Sequence, residues 1–326
     1  MSLLDKNLHE PIVEVRDLRT WFPVKKGFFG RTDHFIKAVN GVSLTVQPGE
    51  IVSLVGESGC GKSTLGNSLA GLLPIQGGEL YFRGKSALKN KRLDREVFQN
   101  KVQVIFQDPY SCLNPKHTVF EILSFPLLYH KICTRENVTD YIASLLEQVG
   151  MSPEYMHRYP HTFSGGQRQR ISIARAVGMK PELMICDEIV SSLDVSIQAQ
   201  IIELLLELRE KLGLALLFIA HDLSLVRTLS DRIYVMYLGK IVESGKASEV
   251  LVTPKHPYTR ALVQSVPTLD RSCPPIILQG EVPSFSNMPA GCSFQNRCPN
   301  YSPKCLKEPE ISHLQEREIR CFHPVE

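Results

Sequence analysis

The sequence has no long apolar run, no marked excess of charge and no secretion-type start, and each absence narrows its possible functions. The longest apolar stretch, Leu212 to Ala220, is far shorter than the roughly 20 residues of a membrane-spanning helix. The formal net charge is only +3, from 37 basic and 34 acidic residues, which gives no argument for a nucleic-acid partner. The first residues include Asp5 and Glu10 but no apolar core of a signal peptide. We therefore expect a soluble chain in a reducing compartment.

The length of 326 residues is enough for one large α/β core and a smaller appendage. Short apolar segments rich in branched residues predict strands, whereas apolar residues spaced by three and four predict helices. The predicted strands cover residues 12–15, 38–44, 51–55, 102–106, 183–186 and 215–220, with a hairpin of 232–237 and 240–244. The predicted helices lie between about 110 and 180 and over 197–212, where Gly213 ends the helix. This alternation predicts a mixed, mostly parallel sheet with an inserted helical subdomain.

A segment rich in glycine and hydroxyl side chains, GESGCGKST, follows the predicted strand 51–55 and precedes a helical pattern. In that context the segment matches the phosphate-binding loop of P-loop NTPases, whose backbone N–H groups turn inward on an anion at a helix N-terminus. Lys62 is expected to contact the β- and γ-phosphates of a nucleotide, and Ser63 is expected to bind Mg²⁺. The loop residues expected to bind are Gly56, Ser58, Gly59, Cys60, Gly61, Lys62, Ser63 and Thr64.

Two adjacent carboxylates, Asp187 and Glu188, end the apolar strand 183–186. Hydrolysis of a nucleoside triphosphate needs such a pair, because one carboxylate holds the Mg²⁺ shell and the other polarises the attacking water. Since successive residues of a strand point in opposite directions, each carboxylate can serve one of these purposes. We expect Asp187 to be on the metal side and Glu188 to be the general base.

A second candidate anion-binding helix end is formed by Ser164, Gly165, Gly166 and Gln167, which open an apparent helix. Ser164 is suited to cap that helix, and the two glycines expose backbone N–H groups. A single chain that binds one nucleotide does not need two anion-binding helix N-termini. The segment therefore favours a dimer in which each subunit offers its second cradle to the nucleotide of the partner.

Four cysteines of the tail, Cys292, Cys298, Cys305 and Cys321, are separated by five, six and fifteen residues. Four thiolates can close a tetrahedral Zn²⁺ site or hold a [4Fe–4S] cluster. Pairs separated by two residues, which are usual in zinc ribbons, are missing from this set, and this favours the iron–sulfur cluster. The tail has many prolines and few large apolar residues, so we expect that it needs a metal or cluster cross-link to become ordered. The other cysteines are expected to be packing residues: Cys60, Cys112, Cys133, Cys186 and Cys273.

These motifs, taken in order and spacing, resemble the ATP-binding subunit of an ABC transporter over about residues 12–266. The motifs that carry the resemblance are residues 56–64, Gln107, 163–167, 187–188, 192–194 and His221. The tail, with residues 256–262 and 280–284, resembles the C-terminal extension of the dipeptide, oligopeptide and nickel importer ATPases, in which such a cluster occurs. Residues 22–27 and 107–115 resemble the F-type subunit of these systems. The resemblance implies two domains, a nucleotide-binding domain over 1–266 and the cysteine-rich extension over 267–326.

The resemblance also implies roles for single residues in a head-to-tail dimer that encloses two ATP molecules. Gln107 would contact Mg²⁺ and the attacking water, Asp194 would line the dimer interface, and His221 would contact the γ-phosphate. Phe22 would stack on adenine, with Trp21 as the alternative. The sequence departs from the family pattern at Ile189 and Ser192, where proline and alanine are usual, and this puts the rate of hydrolysis and the stiffness of that loop in doubt.

We interpret the chain as a peripheral ATPase subunit of a peptide importer at the cytoplasmic face of the cell membrane. The resemblance implies a heterodimer with a homologous ATPase subunit, two transmembrane permease subunits and, indirectly, an extracytoplasmic solute-binding protein. A nickel importer of the same family is an alternative. A soluble ABC ATPase acting on nucleic acid is a less favoured one, because two fused cassettes, long coiled coils and basic insertions are not seen in the sequence. A module in which nucleotide only switches assembly is disfavoured by Glu188, which implies hydrolysis.

Overall fold

The computed structural model describes residues 10–26, 31–89, 92–94, 98, 100–265, 280, 283–314 and 316–325. Its strands are β1 (Val13–Lys26), β2 (Arg31–Val46), β3 (Ile51–Val55), β4 (Gly77–Phe82), β5 (Lys85–Ser86), β6 (Leu88–Lys89), β7 (Arg92–Leu93), β8 (Val102–Ile105), β9 (Leu183–Asp187), β10 (Ala215–Ala220), β11 (Arg232–Tyr237), β12 (Lys240–Lys246), β13 (Ser312–Leu314) and β14 (Arg317–Ile319). Its α-helices are α1 (Lys62–Leu69), α2 (Pro109–Cys112), α3 (Val119–Tyr129), α4 (Val138–Gln148), α5 (Gly165–Val177), α6 (Val195–Leu212), α7 (Leu223–Leu229), α8 (Ala247–Val250) and α9 (Pro257–Gln264). Within these residues, no helix is both long and apolar enough to cross a membrane.

The chain divides into two compact units. The first comprises Met1–Ile12, Gln47–Gly49 and Asp94–Leu217, and the second comprises Val13–Val46, Glu50–Leu93 and Phe218–Glu326. The domain boundary predicted near residue 266 lies outside the described residues.

The first unit combines helices with parallel strands. β8 pairs with β9 in parallel, from Val102 opposite Leu183 to Ile105 opposite Cys186. All five residues of β9 are buried, as expected for a central strand covered on both faces. The region predicted to be helical contains α3, α4 and α5, whose apolar residues, among them Leu127 and Ile142, are buried. The predicted inserted helices are therefore present in this unit.

The second unit is dominated by antiparallel pairing. Its four-stranded sheet has the order β2-β1-β4-β5, and all three of its pairings are antiparallel. In the other sheet β3 pairs in parallel with β11, while the β11–β12, β12–β14 and β13–β14 pairings are antiparallel. The prediction of a mixed sheet is confirmed, and within this unit antiparallel pairings outnumber the parallel pairing of β3 with β11. Alternating burial along β2, as in Val42, Leu44 and Val46, is typical of such antiparallel strands.

Two local predictions, a helix end at Gly213 and a hairpin turn at Leu238 and Gly239, are confirmed by the backbone. Gly213 follows α6 with a φ of 65°, the left-handed conformation that ends many helices. Leu238 and Gly239, between β11 and β12, have φ values of 41° and 79°. Positive φ at both central residues is the signature of the type I′ hairpin turn.

Candidate functional site

The loop after β3 requires glycine at its two ends. Gly56 and Gly61 have φ values of 153° and 109°, in the region that side chains disfavour. A Cβ atom on Gly56 would lie 2.2 Å from the carbonyl oxygen of Met236, and one on Gly61 would lie 2.1 Å from that of Ala38. The loop is therefore pressed against neighbouring backbone, in the tight conformation that a phosphate cradle needs.

Lys62 points into the loop that precedes it. Its side chain is buried, and Nζ donates hydrogen bonds to the carbonyl oxygens of Gly56 at 2.8 Å and Glu57 at 3.0 Å. Both of these partners are neutral. The ammonium group is thus held within the loop by backbone carbonyls, and the N-terminus of α1 carries a partial positive charge that favours an anion.

Other residues predicted to bind nucleotide also belong to the second unit. Ser58, Gly59 and Ser63 are exposed and Thr64 is half-buried, whereas Cys60 is buried, and burial raises the pKa of its thiol. His221 is exposed just after β10. A cavity of about 540 Å³ in this unit is lined by Val55, Gly56, His221, Asp222, Leu223, Ser224, Leu262 and Ser265. The start of the loop and His221 therefore share one cavity.

The two candidate adenine-stacking residues differ in their surroundings. Trp21 lies with its ring centroid 6.3 Å from that of Phe35, and Nζ of Lys37 lies 5.1 Å from the centroid of its ring. Phe22 is also half-buried and pairs with Ile36 across β1 and β2. Both candidates lie on β1, in the second unit.

Gln107, Asp187 and Glu188 lie in the first unit, where two of them are in direct contact. Asp187 ends β9 and is 8% exposed. Glu188 has a φ of 48°, a left-handed conformation that is uncommon for a residue with a side chain and often marks functional sites. Its Oε2 accepts a hydrogen bond from Nε2 of Gln107 at 2.9 Å, and its carbonyl oxygen accepts one from Oγ of Ser191 at 2.8 Å. The side chain predicted to contact water therefore touches the predicted base.

The segment Ser164–Gln167 begins α5, as predicted. Ser164 and Gln167 form a capping box, in which Oγ of Ser164 accepts from the Gln167 N–H at 3.3 Å and Oε1 of Gln167 accepts from the Ser164 N–H at 3.1 Å. Gly166 has a packing role that sequence alone did not reveal. A Cβ atom there would lie 2.5 Å from Cγ2 of Ile197, on α6.

The residues that depart from the family pattern differ in burial. Ile189 is 1% exposed and therefore belongs to the core, whereas Ser192 is exposed. Asp194, predicted to line a dimer interface, is the exposed N-cap residue of α6. Val195 beside it is 81% exposed, an unusual position for a branched apolar side chain.

The four tail cysteines have partly buried thiols. Cys292 and Cys305 are buried, and the Cys292 N–H donates to the Cys305 carbonyl oxygen at 2.9 Å. Burial is the main cause that raises the pKa of Cys321 to about 12, with smaller contributions from the thiols of Cys298, Cys292 and Cys305. Across the described part of the chain, however, no group of three or more His, Cys, Asp or Glu side chains is placed to hold a metal ion. The structure does not confirm the predicted cluster.

The other cysteines are consistent with packing. Cys60, Cys133 and Cys186 are buried, and burial raises the pKa of Cys186 to about 12. Cys112 is half-buried, and Cys273 lies outside the described residues.

Comparison with known families gives two matches along the chain. Residues 39–191 match the model described as ABC transporter. Residues 242–305 match the model described as the C-terminal region of oligopeptide/dipeptide transporters. The first match includes the phosphate loop and both strand-end carboxylates, and the second includes three of the four tail cysteines.

Solved structures show the same fold as this chain. CbiO1 of Clostridium perfringens, part of the ABC transporter complex cbiONQ, has a TM-score of 0.63 at 25% identity and covers 75% of this chain and 92% of its own. The ATP-binding cassette MJ0796, in a dimeric post-hydrolysis state bound to ADP and Pi, has a TM-score of 0.61 at 26% identity and covers 72% of this chain and 98% of its own.

Curated relatives match nearly the whole chain. The dipeptide transport ATP-binding protein DppF of Escherichia coli (strain K12) is 42% identical over 99% of this chain and 97% of its own length. The oligopeptide transport ATP-binding protein AppF of Bacillus subtilis (strain 168) is 46% identical over 96% of this chain and 97% of its own. With this identity and coverage, the chain belongs to the family of ATP-binding subunits of dipeptide and oligopeptide ABC transporters.

Proposed function

We propose that this chain, an ATP-hydrolysing transporter subunit by family, powers the uptake of dipeptides or oligopeptides across the cytoplasmic membrane. One observation carries the proposal: an ABC transporter match over 39–191 is joined in one chain to a match over 242–305 with the C-terminal region of oligopeptide/dipeptide transporters. The names of the relatives DppF and AppF, which refer to dipeptide and oligopeptide transport, support the same substrate class.

Within the nucleotide site we propose separate tasks for binding and for hydrolysis. ATP bound with Mg²⁺ supplies the phosphoanhydride bond that is broken. Lys62 would bind the β- and γ-phosphates, and Ser63 and Asp187 would hold the Mg²⁺ ion, which would offset the negative charge of the phosphates. Glu188 would accept a proton from the attacking water, and Gln107, which already contacts the Glu188 carboxylate, would orient that water and help to hold Mg²⁺. The glycine cradle at both ends of the loop supports the binding role.

The remaining predicted residues act around the nucleotide in a dimer. Phe22 stacks on adenine, and His221 contacts the γ-phosphate. The segment Ser164–Gln167 binds the γ-phosphate of the nucleotide held by the partner subunit, and Asp194 lines the interface. The exposed Val195 beside Asp194 supports this placement, because it would be covered in such a dimer.

We propose that the partner in this dimer is a homologous ATPase subunit rather than a second copy. The pair is peripheral, at the cytoplasmic face of the membrane, where it works with two transmembrane permease subunits. An extracytoplasmic solute-binding protein delivers the peptide to those subunits, and the ATPase does not touch it. The inserted helices α3 and α4 are suited to transmit closure of the dimer to the membrane subunits.

Gentle detergent purification of the tagged chain tests this assembly. We expect two membrane subunits and one homologous ATPase subunit in equal amounts, with a peptide as the bound solute identified by mass spectrometry. A complex whose only ATPase species is this chain would contradict the heterodimer. Nickel in place of a peptide would contradict the substrate class.

We also propose that Cys292, Cys298, Cys305 and Cys321 hold a [4Fe–4S] cluster with a structural role. When bound, such a cluster joins the loops that carry its four thiolates. The support comes from the spacing of the cysteines, the backbone hydrogen bond between Cys292 and Cys305, and the raised pKa of Cys321, to which the other three thiols contribute.

Anaerobic purification tests the cluster. We expect iron and inorganic sulfide in equal amounts, broad visible absorbance, and loss of all three together with protease resistance of the tail in Cys298→Ser. Cys112→Ser, which replaces a half-buried cysteine far from the tail in sequence, is the matched control. Stoichiometric zinc without iron or sulfide would overturn the proposal, and so would a Cys298→Ser protein with unchanged metal content.

A further inference from the structure

The tail makes a paired ionic contact with the phosphate loop. Nη1 of Arg297 donates to Oε2 of Glu57 at 2.6 Å, and Nη2 donates to Oε1 at 3.0 Å. This parallel two-bond arrangement is the strongest geometry between guanidinium and carboxylate groups. Glu57 is the second residue of the loop, while Arg297 lies 240 residues later and directly precedes Cys298.

The contact is sheltered from solvent. The side chain of Arg297 is 7% exposed and that of Glu57 is 25% exposed. The hydrogen bonds to Glu57 raise the pKa of Arg297 above its ordinary value, so the guanidinium stays charged. Loss of either partner would leave a charge in a partly dry environment, which costs far more than loss of a surface ion pair.

Buried aromatic residues pack beside the contact between Arg297 and Glu57. The ring of Phe294, three residues before Arg297, packs with centroid distances of 5.2 Å to Tyr237 and 5.4 Å to Tyr258. All three aromatic residues are almost completely buried. The hydroxyl of Tyr258 accepts a hydrogen bond from the Glu57 N–H at 2.8 Å. The backbone and the side chain of Glu57 are therefore both held by groups outside the loop.

Glu57 in turn contacts the lysine of the loop. Its carbonyl oxygen accepts from Nζ of Lys62 at 3.0 Å, while its carboxylate is held by Arg297. A displacement of Glu57 would thus move the carbonyl that positions the ammonium group. Glu57 therefore connects Arg297 of the tail to Lys62 through direct hydrogen bonds.

We propose that Arg297 is a positioning residue for the phosphate loop, through which the C-terminal segment sets the affinity for nucleotides that carry a β-phosphate. This inference rests on the proposed role of loop 56–64, but it requires no group bound to the cysteines. Arg297 does not touch nucleotide. Its effect is on the conformation of Glu57, and therefore on the part of the loop that contacts phosphates.

The test compares nucleotide affinities of the purified chain by calorimetry for ATP, ADP and AMP. We expect Arg297→Gln to weaken ATP and ADP binding by about tenfold, a loss typical of a broken charge-assisted contact. AMP has no β-phosphate, so its affinity should change by less than about twofold. Arg297→Lys keeps the positive charge but cannot make the two parallel hydrogen bonds, so it should have an intermediate effect. Arg320→Gln is the matched control, because Arg320 pairs with Glu308 within the tail at 3.1 Å.

Glu57→Gln provides a second route if Arg297→Gln unfolds the tail, since it breaks the same contact from the loop side. The two substitutions should not be additive, because each removes the same ion pair. Equal ATP affinity in the parent, Arg297→Gln and Glu57→Gln would overturn the inference, and so would an equal loss for ATP and AMP. Lys62→Ala separates this failure from that of the proposed loop. If Lys62→Ala binds ATP as tightly as the parent, the role of the loop itself is wrong.

Discussion

At the scale of single residues, the structure separates the groups that would bind nucleotide from the group that would act on water. Lys62 lies inside its loop, with two backbone carbonyls as partners. Glu188 lies after β9 in a left-handed conformation, with its carboxylate held by Gln107. These surroundings predict different consequences when each residue is replaced.

We expect Lys62→Ala to abolish ATP binding and Glu188→Gln to leave binding intact. Glu188→Gln should lower turnover by about 10²–10⁴-fold, the usual contribution of a general base, and should trap ATP in a closed dimer. Filter binding and phosphate release measure the two effects separately. Glu210→Gln, an exposed carboxylate on α6, controls for the change in charge. Parent-like turnover in Glu188→Gln would remove it as the base.

Residue-level features were predictable from the sequence where they lie close together along the chain. The loop 56–64, the strand-end carboxylates and the capping serine Ser164 are local patterns with a physical meaning, and the structure places them on the expected elements. The contact between Glu57 and Arg297 was not predictable, because 240 residues separate its partners. The contact of Gly166 with Ile197 was missed for the same reason, since it depends on how α5 and α6 pack.

At the scale of secondary-structure elements, buried central strands were the most predictable. The predicted strands 51–55 and 215–220 coincide with β3 and β10, because an unbroken apolar run flanked by turn residues has few alternatives. β1 was predicted over residues 12–15 but extends over Val13–Lys26. The residues that follow, beginning with Arg16 and Asp17, show no strand pattern in the sequence. They are in the strand because they pair with β2.

His256, at the start of the short helix α9, should make the free energy of unfolding depend on pH. His256 caps this helix, with Nδ1 accepting from the Tyr258 N–H at 3.1 Å, and burial lowers its pKa from 6.5 to about 3. In the unfolded chain the His256 imidazole is protonated as the pH falls below 6.5, whereas in the folded chain it stays neutral until near pH 3. The contribution of His256 to the free energy of unfolding is therefore complete above pH 6.5 and is lost below it, by at most about 1.4 kcal/mol per pH unit.

Urea unfolding at pH 7.5 and 5.5 measures this contribution. His256→Asn keeps a capping acceptor but cannot titrate, so its stability should fall less between the two pH values than that of the parent. His157→Asn, at an exposed position, should leave the pH dependence unchanged. The same loss of stability in the parent and in His256→Asn would contradict the assignment.

At the scale of the whole molecule, the tail is an integral part of the second unit. β14 pairs with β12, and the Val325 N–H donates to the Lys255 carbonyl oxygen at 2.8 Å. Arg317 adds an ion pair with Glu249 at 3.1 Å. The sequence suggested a tail that needs a metal or cluster cross-link, but it could not reveal these contacts with β12 and α8. The same unit carries loop 56–64, which the tail contacts through the ion pair of Arg297 with Glu57.

The most direct measurement of the proposed function is ATP-driven uptake of a labelled dipeptide into proteoliposomes. These would contain this chain, its homologous ATPase partner, two membrane subunits and the solute-binding protein. The account predicts uptake that requires ATP on the side of the ATPase subunits and is lost when this chain carries Lys62→Ala. Uptake that continues unchanged with Lys62→Ala, or ATP turnover that responds to nucleic acid but not to peptide, would contradict it.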